Sequence, residues 1–234
     1  MNRRASGFGL IEIMVAISLG LLIGLGLTQL LFSSKATYLS QSASAALQED
    51  ARLVLSRMIQ DIRSVGLSGC LAKVDDMSTS GGFSRARDTS IKWDAAQQTL
   101  SLITADMGRG LDAPTWIVIS DCETSAVAYN GKSAPRLGPG QLGFPVREVR
   151  YVYNSRNQEI RLGTQPLIDN VSAFSVLFGV ADHALDAGIA RYTVSPPDLG
   201  LVRSVRLSMT LTDPQGRVKS QTFSVTAALR NRLG

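Results

Sequence analysis

The sequence predicts an α+β protein: a long N-terminal α-helix, transmembrane in its first half and amphipathic in its second, packed on a mainly antiparallel β-sheet head. Three observations carry this expectation. Phe8 to Phe32 is a 25-residue apolar run containing one charge, Glu12. Apolar residues then continue at helix-face spacing as far as Val65. After Gly66 the pattern changes to short alternating segments separated by Gly, Pro, Asn and Asp.

The apolar run is long enough to span a bilayer, since about 20 residues rising roughly 1.5 Å each cross a hydrocarbon core of about 30 Å. A secretory signal shares the basic start and greasy middle. Its apolar region, however, is only about 7–15 residues and is followed by a small-residue cleavage site, whereas here the small residue, Gly7, comes first. Arg3 and Arg4 hold the short leading segment on the cytoplasmic side, which sends the chain beyond Phe32 across the membrane. A carboxylate one turn into such a run is expensive without a partner, so Glu12 is read as a functional residue. The alternative is that Glu12, about 6 Å from the helix start, reaches back to the interface unpartnered. Gly20-x-x-x-Gly24 fits close helix packing, although small residues are frequent in membrane helices generally.

In the second half, Leu47, Ala51, Val54, Leu55, Met58, Ile62 and Val65 form one face, with Gln48, Asp50, Arg52, Arg57, Gln60 and Arg63 on the other. Gly66 and Gly69 are stop signals. A helix from Phe8 to Val65 would be about 87 Å long. Its apolar stripe needs a cover, either a coiled-coil partner or the head.

The remaining chain, about 170 residues, is sized for one domain. Strands are expected at Thr89–Trp93, Thr99–Ile103, Trp116–Ser120, Val146–Asn154, Glu159–Leu162, Ala173–Phe178, Leu201–Thr212 and Lys219–Ala227. Asp213-Pro214-Gln215-Gly216 is turn chemistry, so the last two strands read as an antiparallel hairpin. Met77–Arg87 and Asn130–Gly143, rich in Ser, Gly and Pro, are expected as loops.

Cys70 and Cys122 are the only cysteines, and an oxidising compartment would pair them; two buried free thiols are the alternative. Two cysteines and a single distant histidine, His183, do not make a zinc set, so no metal and no cofactor is expected. Asp75-Asp76, and Asp182 with Asp186, lack the ligand spacing of a known calcium loop. His183 sits between acids, but no nucleophile elbow accompanies it, and no catalytic residues are assigned. A Walker-type phosphate loop is absent as well.

The full chain carries +5, and loss of Arg3 and Arg4 leaves it mildly basic. Arg203, Arg206, Arg217, Lys219, Arg230 and Arg232 gather on the last two strands and tail, where a DNA-binding face is one reading. Phe223 is the lone aromatic among them, so stacking on nucleic acid is not supported, and a partner-docking or solvated face is favoured.

Gly7-Phe8-Gly9-Leu10-Ile11-Glu12, followed by Ile13-Met14-Val15-Ala16, resembles the class III signal of type IV prepilins. The resemblance implies that a prepilin peptidase cuts between Gly7 and Phe8 and methylates the new amine of Phe8. Glu12 then occupies the fifth mature position, where that family carries its glutamate, and would set the register between subunits by meeting a neighbour's amine. Gly9 stands where threonine is commoner, and Gln29 where major pilins tend to have proline. Gly20, Gly24 and Gly26 could supply that proline's looseness.

Leu47–Arg52, Asp61-Ile62-Arg63, Gly66–Cys70, Leu167–Gly179 and Val225–Arg232 narrow the resemblance to PilW-type minor pilins, which are similar to the J-type minor pseudopilins of type II secretion. The implied fold is pilin-like, with a leader at 1–7, a membrane and assembly helix at 8–32, an amphipathic helix at 33–66 and a β-rich head at 67–234. The implied role is non-enzymatic: priming of pilus growth at the fibre tip. The implied partners are other minor pilins, the major pilin, the prepilin peptidase and an inner-membrane assembly platform. Such a subunit waits in the inner membrane with a periplasmic head and ends in a surface pilus. A J-like pseudopilin and a DNA-uptake pilin are the alternatives.

Overall fold

The computed structural model describes residues 9–106, 113–186 and 188–229. Helix α1 (Leu10–Arg63) runs unbroken for 54 residues, through Gly20, Gly24 and Gly26. Among the described residues, twelve strands form two sheets. The first contains β1 (Asp75–Asp76), β2 (Ile91–Asp94), β3 (Thr99–Ala105), β4 (Trp116–Ser120), β5 (Ala126–Asn130), β6 (Leu142–Asn154), β7 (Glu159–Leu162) and β8 (Gln165–Ile168). Its order is β1-β5-β4-β6-β3-β2, with β7 on the far part of β6 and β8 beyond β7. Only the β1–β5 pair is parallel. The second sheet is β9 (Val171–Val180), β10 (Arg191–Thr193), β11 (Val202–Leu211) and β12 (Gln221–Ala228), in the antiparallel order β10-β9-β11-β12. The fold is α+β, a long apolar helix with a mainly antiparallel head.

Alternation places these sheets. On β11, Val205, Leu207, Met209 and Leu211 are buried while Arg206, Ser208 and Thr210 lie on the other face. The buried set meets the helix stripe Leu47, Ala51, Val54, Leu55, Met58, Ile62 and Val65, and both sheets contribute to the same core through Leu100, Tyr151, Val176 and Phe178. Each large side chain so buried is worth about 1.5–3 kcal/mol. The head itself therefore covers the stripe, and the coiled-coil alternative falls away.

Polar contacts fix the helix on the head at both ends. Near its C-terminus the Tyr151 hydroxyl donates to Asp61 Oδ2 at 2.5 Å. Burial, reinforced by the Asp61 charge, pushes the Tyr151 hydroxyl far above its ordinary pKa, so it stays a donor. The hydroxyls of Ser64 and Thr104 also bond there, and Gly66 N donates to Ile103 O at 3.0 Å. At the other end Gln221 Nε2 donates to Ser44 Oγ at 2.7 Å.

Four short strands, β1, β5, β8 and β10, lie outside the expected set. Pairing with neighbouring strands makes them, and local pattern does not disclose it. The expected loop 77–87 contains helix α2 (Gly82–Asp88). Its start is built by side chains: Asp76 Oδ2 accepts from Ser84 N at 2.7 Å and Ser78 Oγ from Phe83 N at 2.9 Å. Phe83 is then buried edge-on against Trp116, in a second small core with Val118, Ala128 and Val146. Strand β6 starts at Leu142, four residues before the expected start, and includes Pro145. Proline is tolerated there because β6 exchanges partners, from β4 over 142–146 to β3 over 146–152.

Candidate assembly interface

The helix start comes first. Gly9 is extended, with φ −75° and ψ 151°, and Leu10 is the first helical residue. That puts Glu12 in the third helical position, where its Oε2 accepts from Gly9 N at 3.1 Å. A carboxylate here satisfies one orphan donor of the helix and favours its positive end. One oxygen is thereby engaged locally. Gly7 and Phe8, expected to flank the cleaved bond, lie outside the described residues, as do Arg3 and Arg4.

From Leu10 to Phe32 nothing in the head covers the helix. Fifteen large apolar side chains from Leu10 to Phe32 are exposed, at 51–78 % of their full surface. The segment is long and apolar enough to cross a membrane. Its few hydroxyls suit an apolar surrounding, because Ser18 Oγ donates to Val15 O at 2.9 Å and Thr28 Oγ1 to Leu25 O at 2.8 Å. Gly20 and Gly24 lie one turn apart in a shallow groove with Ile17, Leu21, Leu25 and Thr28. A Cβ added at either glycine would meet nothing within 4 Å.

The chain carries a prokaryotic N-terminal methylation motif. The family model of that description matches residues 2–28. No curated protein matches the chain, and no solved structure matches it. Within the matched residues the structure shows an exposed apolar helix with Glu12 in its first turn, and the motif supports a type IV pilin-like protein, pilin or pseudopilin. The motif implies processing by a prepilin peptidase and assembly in the membrane with other pilins, and the apolar helix is consistent with membrane anchoring. The pilin-like family that this motif describes is structural rather than enzymatic.

The other expected site residues fall in three places. Cys70 and Cys122 are bonded to each other across 52 residues, tying the segment after α1 to the turn after β4. That turn is ordered by Asp121, whose carboxylate accepts main-chain N–H groups of Ser125, Glu123 and Thr124 at 2.9 Å each. The Ser125 N–H, then the Thr124 hydroxyl and the remaining amides, hold the Asp121 carboxyl well below the usual carboxylate range.

Among the described residues, the basic face proposed for β11 and β12 does not form as a free cluster. Arg203 is buried at 4 % exposure and donates to the carbonyls of Asp186, Gly200 and Ala184 at 2.9, 2.8 and 2.5 Å. It sits at a β-bulge between β9 and β11, where the register slips from Val202–Val180 to Ser204–Gly179, and the bulge turns its side chain inward. Arg206 stacks over the Tyr192 ring at 3.9 Å. Arg217 pairs with Asp213 at 2.6 Å, and that hydrogen bond holds the Asp213 carboxyl down at about 2. Arg230 and Arg232 lie outside the described residues. Of the proposed six, Lys219 is the one exposed cation without a bond or ring contact among the described residues.

His183 is an exposed loop residue whose main-chain N–H donates to Asp186 Oδ2 at 3.1 Å. Asp182 faces Arg191 at 3.7 Å. Asp76 is taken up by Ser78 and Ser84 at the start of α2. Among the described residues no group of three or more His, Cys, Asp or Glu is placed to hold a metal ion.

Three contributors escaped sequence reasoning: Tyr151, Gln221 and Arg203 as fixing residues. Asp61, Ser44 and the carbonyls of Ala184 and Asp186 are distant from them in sequence. No periodic signal links them.

Proposed function

We propose that this protein is a PilW-type minor pilin that takes part in type IV pilus assembly, priming growth with other minor pilins and riding at the fibre tip. The observation that carries the reading is an uncovered apolar half-helix with a single carboxylate in its first turn, largely within the residues that match a methylation motif. In this reading residues 1–7 are a leader, 8–32 the membrane and assembly segment, 33–66 the helix that anchors the head, and 67–234 the head.

Cleavage between Gly7 and Phe8 would create a methylated amine four residues before Glu12 in the mature chain. In the membrane the carboxylate has its own helix cap as a partner through Oε2, which lowers the cost of holding it there. In the fibre its other oxygen is free to receive the Phe8 amine of a neighbour, and a charged pair in a low-dielectric bundle fixes the axial stagger. The apolar side chains exchange lipid for neighbouring helices, so extraction costs little burial and the head selects the partners. The work of extraction would come from a motor at the inner-membrane platform. The head would wait on the periplasmic side, facing the oxidising compartment that suits Cys70–Cys122.

Deletion of the gene, scored for surface pili and for secreted enzymes, tests this role against that of a J-like pseudopilin. Piliation is expected to fall severely with secretion intact. Normal piliation with failed secretion would reject the minor-pilin role in favour of the other machine.

A further inference from the structure

Strand β12 is an edge: among the described residues it pairs with β11 alone. It is eight residues long, whereas the other terminal strands β1, β2, β8 and β10 have two, four, four and three. Proteins blunt long edges with charges, prolines, bulges or brevity, because an open ladder recruits other strands. Gln221–Ala228 contains no charge and no proline, and its register against β11 is unbroken.

The open groups can be assigned. Leu229 N donates to Arg203 O at 2.9 Å, so the hydrogen-bonded pairs continue at Val205–Ala227, Leu207–Val225 and Met209–Phe223. The main-chain N–H and C=O of Thr222, Ser224 and Thr226 therefore point away from β11. All three residues are exposed. The hydroxyls of Ser224 and Thr222 pair with Ser208 and Thr210, each at 2.8 Å, instead of folding over the edge. Backbone groups of this kind want partners wherever water is displaced.

We infer that this edge receives a strand from the head of a different pilin-like chain, extending the second sheet by β-augmentation; the inference rests on the reading of the protein as an assembled pilin. A second copy presenting this same edge does not fit. Antiparallel pairing of two identical edges needs a two-fold axis normal to the sheet, and α1 lies against that sheet beside β12. The axis would reverse the stalk of one copy, so the two could not be anchored in one membrane in the same sense. Parallel pairing about a two-fold sets N–H against N–H. A different chain of the same membrane polarity satisfies both constraints, and the absence of charge on β12 calls for an uncharged strand.

The full-length protein in its native cells provides the test. Ser224→Pro removes an outward N–H and the hydroxyl that pairs with Ser208 but leaves the β11 backbone ladder whole, so fibre incorporation is expected to drop by about tenfold or more while the Cys70–Cys122 bond still forms. A photo-reactive residue at Thr226, in an otherwise unaltered chain, is expected to cross-link to a strand of another chain bearing a prepilin-type N-terminus. Should Ser224→Pro fail to fold, that cross-link decides. Wild-type incorporation of Ser224→Pro, or a cross-link to a second copy or to a chain without such an N-terminus, or none, would overturn the inference. If the unaltered protein is in fibres when this happens, only the edge assignment fails; if it is absent from fibres, the pilin reading itself fails.

Discussion

Replacing Glu12 by alanine is expected to leave leader cleavage intact and to cut incorporation into purified fibres by about tenfold or more. A tenfold change needs only about 1.4 kcal/mol, and a carboxylate–amine pair shielded from water exceeds that. The local cap complicates the reading of alanine alone, since Glu12 also accepts from Gly9 N. Glutamine separates the two roles. Glu12→Gln keeps the capping geometry, which glutamine supports as glutamate does, and removes the charge. If intersubunit pairing matters, both variants fail alike in quantitative blots of sheared fibres. Glutamine at the wild-type level would assign Glu12 to helix capping only.

The second large effect concerns the head. Removing the Cys70–Cys122 bond in a Cys70→Ser, Cys122→Ser double variant frees a loop of 52 residues in the unfolded chain. The chain-entropy account assigns about 4 kcal/mol to such a loop, and removal of a native disulfide typically costs about 2–5 kcal/mol. For a chain of this size each kcal/mol moves the midpoint by about 2–4 °C. Thermal unfolding of the full chain in detergent should therefore show a drop of roughly 10 °C. The same drop is expected on adding reductant to the unaltered protein. An unchanged midpoint in both experiments would mean that the turn at Asp121 holds this corner unaided.

Much of the architecture was legible because it is periodic. The stripe from Leu47 to Val65 repeats at helical spacing, and its members are buried. The hairpin of β11 and β12 was readable from alternation plus Asp213-Pro214-Gln215-Gly216, and Asp213 does anchor the turn by accepting from Arg217 N at 2.7 Å. Strands Trp116–Ser120 and Glu159–Leu162 match their expected bounds.

What escaped depends on distant partners. Helix α2 hides in a Ser- and Gly-rich stretch because Asp76 and Ser78 cap it and Phe83 needs Trp116 to cover it. The first four residues of β6, Pro145 among them, are strand by pairing with β4, and no local pattern marks them. Arg203 looked solvated by type, and the bulge that buries it is a property of strand pairing. For the candidate site, the sequence displayed Glu12 and the apolar run plainly, and the structure adds that Glu12 reaches its own helix start.

Mass spectrometry of the intact N-terminus of the protein isolated from its native cells is the most direct check of the central claim. The chain should begin at Phe8, lack Met1 to Gly7 and carry one added methyl group on its amine. A native protein that retains Met1–Gly7, or begins at any residue other than Phe8, would contradict a register set by Glu12 and a newly exposed terminus.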